Sequence, residues 1–180
     1  MTPFFNAYNT LTAVLDRAAP AVLPTLARLV FAGVLFGYFW ASTNTKLGDG
    51  LFSLASGAYA QIFPKAFEAV GYDTSRLGLW HWLVAMAGTC AEFALPVLIV
   101  AGLFTRLAAL GMIGFIFVQS LTDVFGHGAG AETVGRWFDR APDALILDQR
   151  AFWVLLLALL VMKGAGPLSA DRALRQWVSG

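Results

Sequence analysis

The amino-acid sequence predicts an all-α integral membrane protein, a four-helix bundle with amphipathic connecting segments. Hydrophobic residues make up 58% of the 180-residue chain and charged residues only 13%, whereas about a quarter of the residues in soluble domains are charged. Four stretches are apolar over about 20 residues, the length that an α-helix needs to cross the hydrocarbon core. Because unpaired backbone groups are too costly in lipid, each stretch is expected to be helical. The length fits a single domain, residues 1–180.

The apolar stretches set the order of the spans, which we predict at residues 23–43, 79–104, 107–125 and 146–164. Very few residues separate the second span from the third, so these two are predicted to be antiparallel neighbours. The fourth has the shortest apolar core, and it reaches full length only with flanks that include Asp148 and Arg150. The two long connections contain amphipathic pieces, such as residues 59–71, that we expect to lie along the membrane surface.

Charge and cysteine content exclude several classes of protein. The net charge is +1 with no basic run, so no nucleic-acid partner is expected. A single cysteine, Cys90, excludes an intramolecular disulfide. The first 27 residues include Asp16, Arg17 and three prolines, so we expect no cleavable signal peptide. Four spans place both termini on one side, and the denser basic residues there favour the cytoplasmic side of the membrane.

Glu92 is the most informative residue of the predicted spans. An ionisable side chain within a span is costly, and it is either paired inside the bundle or functional. At 1.5 Å per residue, Glu92 lies roughly 18 Å along its helix from Trp80, near the middle of the bilayer. Ala85 and Gly88 share its face of the helix and allow a neighbouring helix to approach closely. We therefore expect Glu92 to face protein and not lipid.

Other polar residues are predicted to converge on Glu92. On the third span, Gln119, Asp123 and His127 are spaced four apart and share one face. The outer end of the second span carries His81, and Lys46 follows the outer end of the first. We therefore predict an outward-opening polar pocket with Glu92 at its floor; its candidate residues are Glu92, His81, Asp123, His127, Gln119 and Lys46.

Three interpretations of this pocket remain open. It can be a structural network in which Glu92 and Asp123 pair with Lys46, hydroxyl groups or histidine. It can be a quinone or redox site, where histidine and carboxylate groups bond quinone oxygens and exchange protons. His81, His127, Asp123 and Glu92 are also plausible metal ligands, but the spacing of the two histidines is not that of a metal motif, and no metal is predicted. No catalytic residue and no nucleotide, flavin or haem motif can be assigned.

The inner side of the bundle carries a second predicted feature, centred on Arg106 at the start of the third span. Arg106 can extend to lipid phosphates, or it can form a salt bridge to Asp171 or Asp16 that holds the inner ends together. Ser169 is a predicted N-cap for a short closing helix that has Asp171 in its first turn. We therefore name Arg106 and Asp171 as a candidate inner-face clamp.

Three sequence patterns together resemble one known family. Residues 91–110 read AEFALPVLIVAGLFTRLAAL, with a glutamate, an apolar run and then Gly-Leu-x-Thr-Arg. The chain end KGAGPLSADRAL, from Lys163, is similar to a Gly-x-Gly-x-Leu-Ser-x-Asp close. An Arg-Leu…Gly…Lys-Leu pattern is present at Arg28, Leu29, Gly33, Lys46 and Leu47. These patterns resemble the signature of the DoxX family of membrane proteins.

The resemblance implies a four-helix, multi-pass protein of the bacterial inner membrane. It further implies association with membrane redox systems that reduce quinone or respond to oxidative stress. We therefore expect an accessory subunit of an oxidoreductase complex, and not an enzyme acting alone, with quinone as its possible ligand and the bilayer and another protein subunit as its partners. The alternatives are a non-enzymatic anchor or assembly partner with a structural polar network and, third, a solute or metal carrier.

Overall fold

The chain folds almost entirely into helices. The computed structural model describes residues 2–50 and 53–179, and within these the only strand-like pairing is an isolated antiparallel bridge between Leu47 and Leu54. Four helical runs have the length and apolar composition of membrane spans. The predicted all-α membrane bundle is therefore confirmed.

The helices in chain order are α1 (Thr2–Phe31), α2 (Gly37–Asn44), α3 (Ser56–Ile62), α4 (Pro64–Ala69), α5 (Leu79–Ala101), α6 (Thr105–Leu121), α7 (Ala131–Val134), α8 (Arg150–Lys163) and α9 (Ala170–Ser179). Single π-helical turns at Ala32–Phe36, Thr122–Gly126 and Leu145–Gln149 extend the long helices, and Thr74–Arg76 forms a 3₁₀ turn. The first span is thus α1 and α2 joined through a π turn, the second is α5, the third is α6 with its π turn, and the fourth is α8 with the turn before it.

The first helical run is much longer than its predicted span. It covers Pro3–Asn44, 42 residues, which at 1.5 Å per residue is about 63 Å, or twice the hydrocarbon thickness. The predicted span 23–43 is its second half. Pro20 and Pro24 lie inside the helix just where the apolar half begins. Each proline removes one backbone hydrogen bond there, so the chain can bend where it enters the apolar half.

The other three runs, Leu79–Ala101, Thr105–Gly126 and Leu145–Lys163, agree closely with the predicted spans. The second run ends before residue 104 because Gly102 adopts a left-handed conformation with φ 70° and caps α5. The amides of Gly102 and Leu103 donate to carbonyls in the last turn of α5. Phe104 is also left-handed, with φ 47°, and these two residues reverse the chain into α6.

The four spans form a closed ring in which each packs against two neighbours: α5 against α6, α6 against α8, α8 against α1, and the first run against α5. The predicted hairpin of the second and third spans is therefore present. The centre is filled by side chains with no more than 2% exposure, among them Phe31, Phe39, Ile99, Met112, Ile116, Leu157 and Leu160. We call the end of the ring that holds the α5–α6 link and residues 164–169 the terminal end, and the opposite end the loop end.

The connection between the first two spans packs onto the bundle. Ala58 and Tyr59 of α3 and Phe67 of α4 form a second buried cluster with Ala85 of α5. The sequence predicted that these amphipathic pieces lie along the membrane surface, but their apolar faces are directed inward against α5. Pro64 occupies the first turn of α4, where a missing amide hydrogen is tolerated. Because α3 packs against α5 in this cluster, it forms one wall of the site described next.

Candidate functional site

A buried ion pair connects the end of the first span with the middle of the second. Lys46 Nζ lies 2.7 Å from Glu92 Oε2, and the two side chains are only 6% and 2% exposed. The ammonium group also donates to the carbonyl oxygen of Ser42 at 3.3 Å and to its Oγ at 2.7 Å. All three ammonium protons of Lys46 therefore have acceptors. Within the described chain, Glu92 Oε1 accepts no hydrogen bond.

Glycine and other small residues bring Lys46 to this depth. The chain turns back directly after α2, and α3 crosses the end of α2 so closely that a Cβ on Gly57 would lie 2.4 Å from the carbonyl oxygen of Thr45. On α5, a Cβ at Gly88 would be 3.4 Å from Ile62 of α3. The sequence predicted that a neighbouring helix packs closely against this face of α5. In the structure, the short helix α3 packs there.

A cavity of about 410 Å³ lies beside Glu92, between α5 and α6. Most of its lining is apolar, and Ile62 of α3 closes one side. Its polar lining residues are Lys46, Gln61, Glu92, Gln119, Thr122 and Asp123. The wall contributed by α6 includes Gly111, Gly114 and Val118, which are exposed on the surface of that span. The cavity is therefore accessible from the side of the bundle, toward lipid, whereas the sequence predicted an opening at its outer end.

Gln119 and Asp123 line the cavity with Lys46 and Glu92, so the structure brings together four of the six predicted pocket residues. Gln119 Nε2 donates to Tyr38 Oη at 3.0 Å. Its Oε1 is buried and has no hydrogen-bond partner within the described chain. A buried acceptor without a donor is costly unless a ligand or water supplies one.

Asp123 is held by a partner that the sequence analysis treated only as an interruption of the fourth span. Arg150, 3% exposed, donates to Asp123 Oδ2 at 2.6 Å and to Ser120 Oγ at 2.9 Å. An arginine in the first turn of a span must be neutralised or reach water. The presence of Asp123 at the end of the neighbouring span was therefore the sequence signal from which this pair could have been predicted. This second pair connects α6 to α8 and fixes the loop end of the cavity.

The two histidines do not line the cavity. His81 packs edge-on against Phe63 with ring centroids 5.0 Å apart, and its Nδ1 is buried without a partner in the described chain. His127 Nε2 lies 3.0 Å from the carbonyl oxygen of Gln61. No group of three or more His, Cys, Asp or Glu side chains in the described residues is arranged to hold a metal ion. The prediction that His81 and His127 join the pocket around Glu92 is therefore wrong, because His81 packs against Phe63 and His127 binds the backbone of α3.

Arg28 forms the main polar junction at the terminal end, and the sequence analysis did not assign it this role. Its guanidinium group donates to two carbonyl oxygens at the end of α5, Ile99 at 3.0 Å and Val100 at 2.5 Å. It also donates to the carbonyl oxygens of Ala165 at 3.1 Å and of Leu168. Carbonyls at a helix end lack partners within the helix, so one arginine satisfies the end of α5 and fixes the loop after α8.

Asp171 completes this junction, but not with Arg106 as predicted. Its carboxylate accepts the backbone N–H groups of Phe104 at 2.7 Å and Thr105 at 3.1 Å. Among the described residues, Arg106 forms no ion pair with it. Burial acts to raise the pKa of Asp171, but the hydrogen bonds from Thr105 and Phe104 and the charge of Arg175 outweigh burial, and the pKa is lowered. Asp171 therefore caps the start of α6 as an ionised group.

The three sequence patterns meet in space at this junction. Arg28 comes from the first pattern, the Gly102–Phe104 link from the second, and the segment from Gly164 to Asp171 from the third. A Cβ at Gly102 would lie 2.7 Å from both Arg28 Cζ and Ser169 Cβ, so only glycine fits there. The shared patterns at the terminal end therefore describe a structural joint, whereas Lys46 and Glu92 belong to the cavity.

Comparison with known proteins identifies the same family that the three sequence patterns resemble. No characterised protein and no solved structure matches the chain at a significant level. The family model described as DoxX matches residues 23–127, a region that includes the apolar half of the first span, the second and third spans, the Lys46–Glu92 pair and the whole lining of the cavity. Since that match covers more than half of the chain, and the chain has four helices able to span a membrane, this protein belongs to the DoxX family of multi-pass membrane proteins.

Proposed function

We propose that this protein is an accessory subunit of a quinone-linked redox system in the bacterial inner membrane, with both termini in the cytoplasm, and that the cavity between α5 and α6 binds the ring of a quinol. One observation carries the proposal: the buried Gln119 Oε1 has no donor in the described chain, Glu92 is hydrogen-bonded there only through Oε2, and both side chains line a largely apolar cavity that opens at the side of the bundle.

The size and the chemistry of the cavity suit this class of ligand. A volume of about 410 Å³ is within the usual range for small-molecule sites, roughly 300–1,000 Å³. Phenolic hydroxyl groups would donate to the two acceptors, and the apolar walls would contact the faces of the ring. The gap at Gly111 and Gly114 would allow a hydrocarbon tail to remain in the bilayer while the ring is bound.

The pairing of Glu92 with Lys46 determines which carboxylate oxygen of Glu92 would be able to accept a proton from a ligand. The ammonium group stabilises the carboxylate through Oε2 at 2.7 Å, which leaves Oε1 able to accept a hydroxyl proton from the ligand. A carboxylate within hydrogen-bond reach of a hydroxyl is positioned as a general base. The electrons of a quinol would pass to a partner subunit, which is why we assign the protein an accessory role.

A second candidate function is a non-enzymatic membrane anchor or assembly partner. It is favoured by the ammonium group of Lys46, whose three protons already have acceptors at Ser42 and Glu92. With its ammonium protons satisfied in this way, the pair would fix how the first two spans and α3 pack together.

Filling the cavity distinguishes the two functions without disturbing the ion pair. A Cβ at Gly114 meets no atom within 4 Å, so Gly114→Leu should fold normally while its side chain blocks the cavity. Gly37→Leu is the matched control, since Gly37 is equally unobstructed and exposed on α2, away from the cavity. The assay is binding of a short-chain quinol and its oxidised form to the purified protein in lipid nanodiscs.

We expect saturable binding to wild type and to Gly37→Leu, and none to Gly114→Leu. Glu92→Gln should weaken quinol binding roughly 10- to 100-fold, because a hydrogen bond to a charged group contributes about 1.5–3 kcal/mol. Equal binding by wild type and Gly114→Leu would refute the proposed site. Absence of binding to wild type at ligand concentrations that saturate known quinone sites would favour the anchor function.

A further inference from the structure

A second pocket, at the terminal end, has four basic side chains and one acidic side chain in its lining. Its volume is about 430 Å³, and it lies between the first half of α1, the loop after α8 and the start of α9. Its charged lining residues are Arg17, Lys163, Arg172, Arg175 and Asp171. The pocket is far from the α5–α6 cavity, and none of its lining residues is shared with that cavity.

The charges in this pocket do not balance. Asp171 is its only acidic lining residue, and both of its carboxylate oxygens already accept backbone N–H groups at the start of α6. Within the described residues, the side chains of Arg17, Lys163 and Arg172 form no hydrogen bond or ion pair. These three cations, beside one engaged carboxylate, produce a positive potential that favours an anion.

The position of the pocket indicates which anion. The fourth span ends at Lys163, on the rim of the pocket. The next helix, α9, has apolar residues on one face and Arg172 and Arg175 on the other. Two apolar residues of that face, Trp177 and Val178, are 83% and 79% exposed. A helix with this pattern lies in the membrane interface with its apolar face toward the acyl chains. The basic pocket is therefore at the depth of the lipid phosphates.

We propose that this pocket binds the phosphate headgroup of an anionic phospholipid and anchors α9 and the N-terminal half of α1 to the membrane surface. A free phosphate ion offers the same charge, but the exposed apolar face of α9 beside the pocket provides a surface for acyl chains, which a free ion lacks. Each basic side chain near an anionic membrane surface is expected to strengthen binding about five-fold. The proposal is independent of any ligand between α5 and α6.

The test compares lipids and charges with the full-length protein purified in non-ionic detergent. Phosphatidylglycerol and phosphatidylcholine are titrated in mixed micelles, and binding is followed by tryptophan fluorescence and by the melting temperature. The variant Arg17→Gln/Arg172→Gln removes two exposed cations from the pocket. The matched control, Lys65→Gln/Arg140→Gln, removes two exposed cations from the loop end. Inorganic phosphate is titrated separately.

We expect wild type to bind phosphatidylglycerol at least about ten-fold more tightly than phosphatidylcholine. Affinity for phosphatidylglycerol should fall about 25-fold in the pocket variant, and should stay within about two-fold of wild type in the control. Equal affinity for the two lipids, or an equal loss in both double variants, would overturn the proposal. It would also be overturned if inorganic phosphate bound as tightly as phosphatidylglycerol, because the site would then recognise a soluble anion.

Discussion

The Lys46–Glu92 pair provides the sharpest test of the energetics of the bundle. The two groups are 2.7 Å apart, with side-chain exposures of only 6% and 2%. Replacing one of them leaves the other charged and without its partner in an apolar bundle, which is expected to cost about 3–5 kcal/mol. Replacing both with apolar residues of similar length removes that penalty. We therefore predict that Lys46→Met and Glu92→Met are each strongly destabilising, and that the double variant is close to wild type.

The measurement is a double-mutant cycle on the free energy of unfolding of the purified protein in mixed micelles, followed by far-UV circular dichroism. The coupling free energy should be about 3 kcal/mol or more, well above the ~0.5 kcal/mol within which independent sites add. Lys65→Met, at an exposed position on α4, is the control and should change stability by no more than about 0.5 kcal/mol. Additive effects of the two single substitutions would refute the conclusion that the pair is buried and mutually dependent.

Three further predictions concern the terminal end. Arg28→Gln removes four hydrogen bonds to backbone carbonyls and should lower the free energy of unfolding by roughly 3 kcal/mol or more; Arg28→Lys should not restore it, because a point charge cannot span the four acceptors. Gly102→Ala should destabilise by more than the ~1 kcal/mol cost of a left-handed alanine, since its Cβ would lie 2.7 Å from Arg28; hydrogen exchange at the end of α5 would report the change. Asp171→Ala should cost about 1–2 kcal/mol through loss of a helix cap, whereas Asp16→Ala should be neutral. Because the pKa of Asp171 is lowered in the folded state, its contribution is present above about pH 4 and is lost as pH falls through the folded pKa. A difference between Asp171→Ala and wild type that does not shrink as the pH is lowered below about 4 would contradict this.

The polar residues show how far sequence reasoning reached. Glu92 could be recognised as buried because an ionisable group in an apolar span is costly wherever that span packs. The same reasoning identified Lys46, Gln119 and Asp123 as neighbours, since helical periodicity and the order of the spans place them in one layer. It failed for His81, because periodicity assigns a residue to a face of its own helix but does not specify what covers that face. In the structure, α3 and Phe63 cover it.

Arg28 illustrates the opposite failure. Arginine near the end of an apolar stretch is compatible with contact to lipid phosphates, and the same applies to Arg106, so the sequence did not distinguish the two. Only the fold places Arg28 beside the carbonyl groups at the end of α5 and in the loop after α8, which are separated from it by 71 to 140 residues in sequence.

The sequence by itself determined that the chain crosses a membrane on four helices, that the second and third of them are adjacent, and which acidic residue lies buried among them. These properties follow from local composition and spacing. Lipid contains no water to hydrogen-bond the backbone, so each span must pair its N–H and C=O groups within its own helix. The tertiary structure alone decided that Lys46, and not a hydroxyl group or a histidine, pairs with Glu92. It also decided that Asp123 pairs with Arg150, and that Asp171 caps α6 instead of pairing with Arg106. Each of these contacts depends on how connections between spans fold back onto the bundle, which local sequence patterns do not encode.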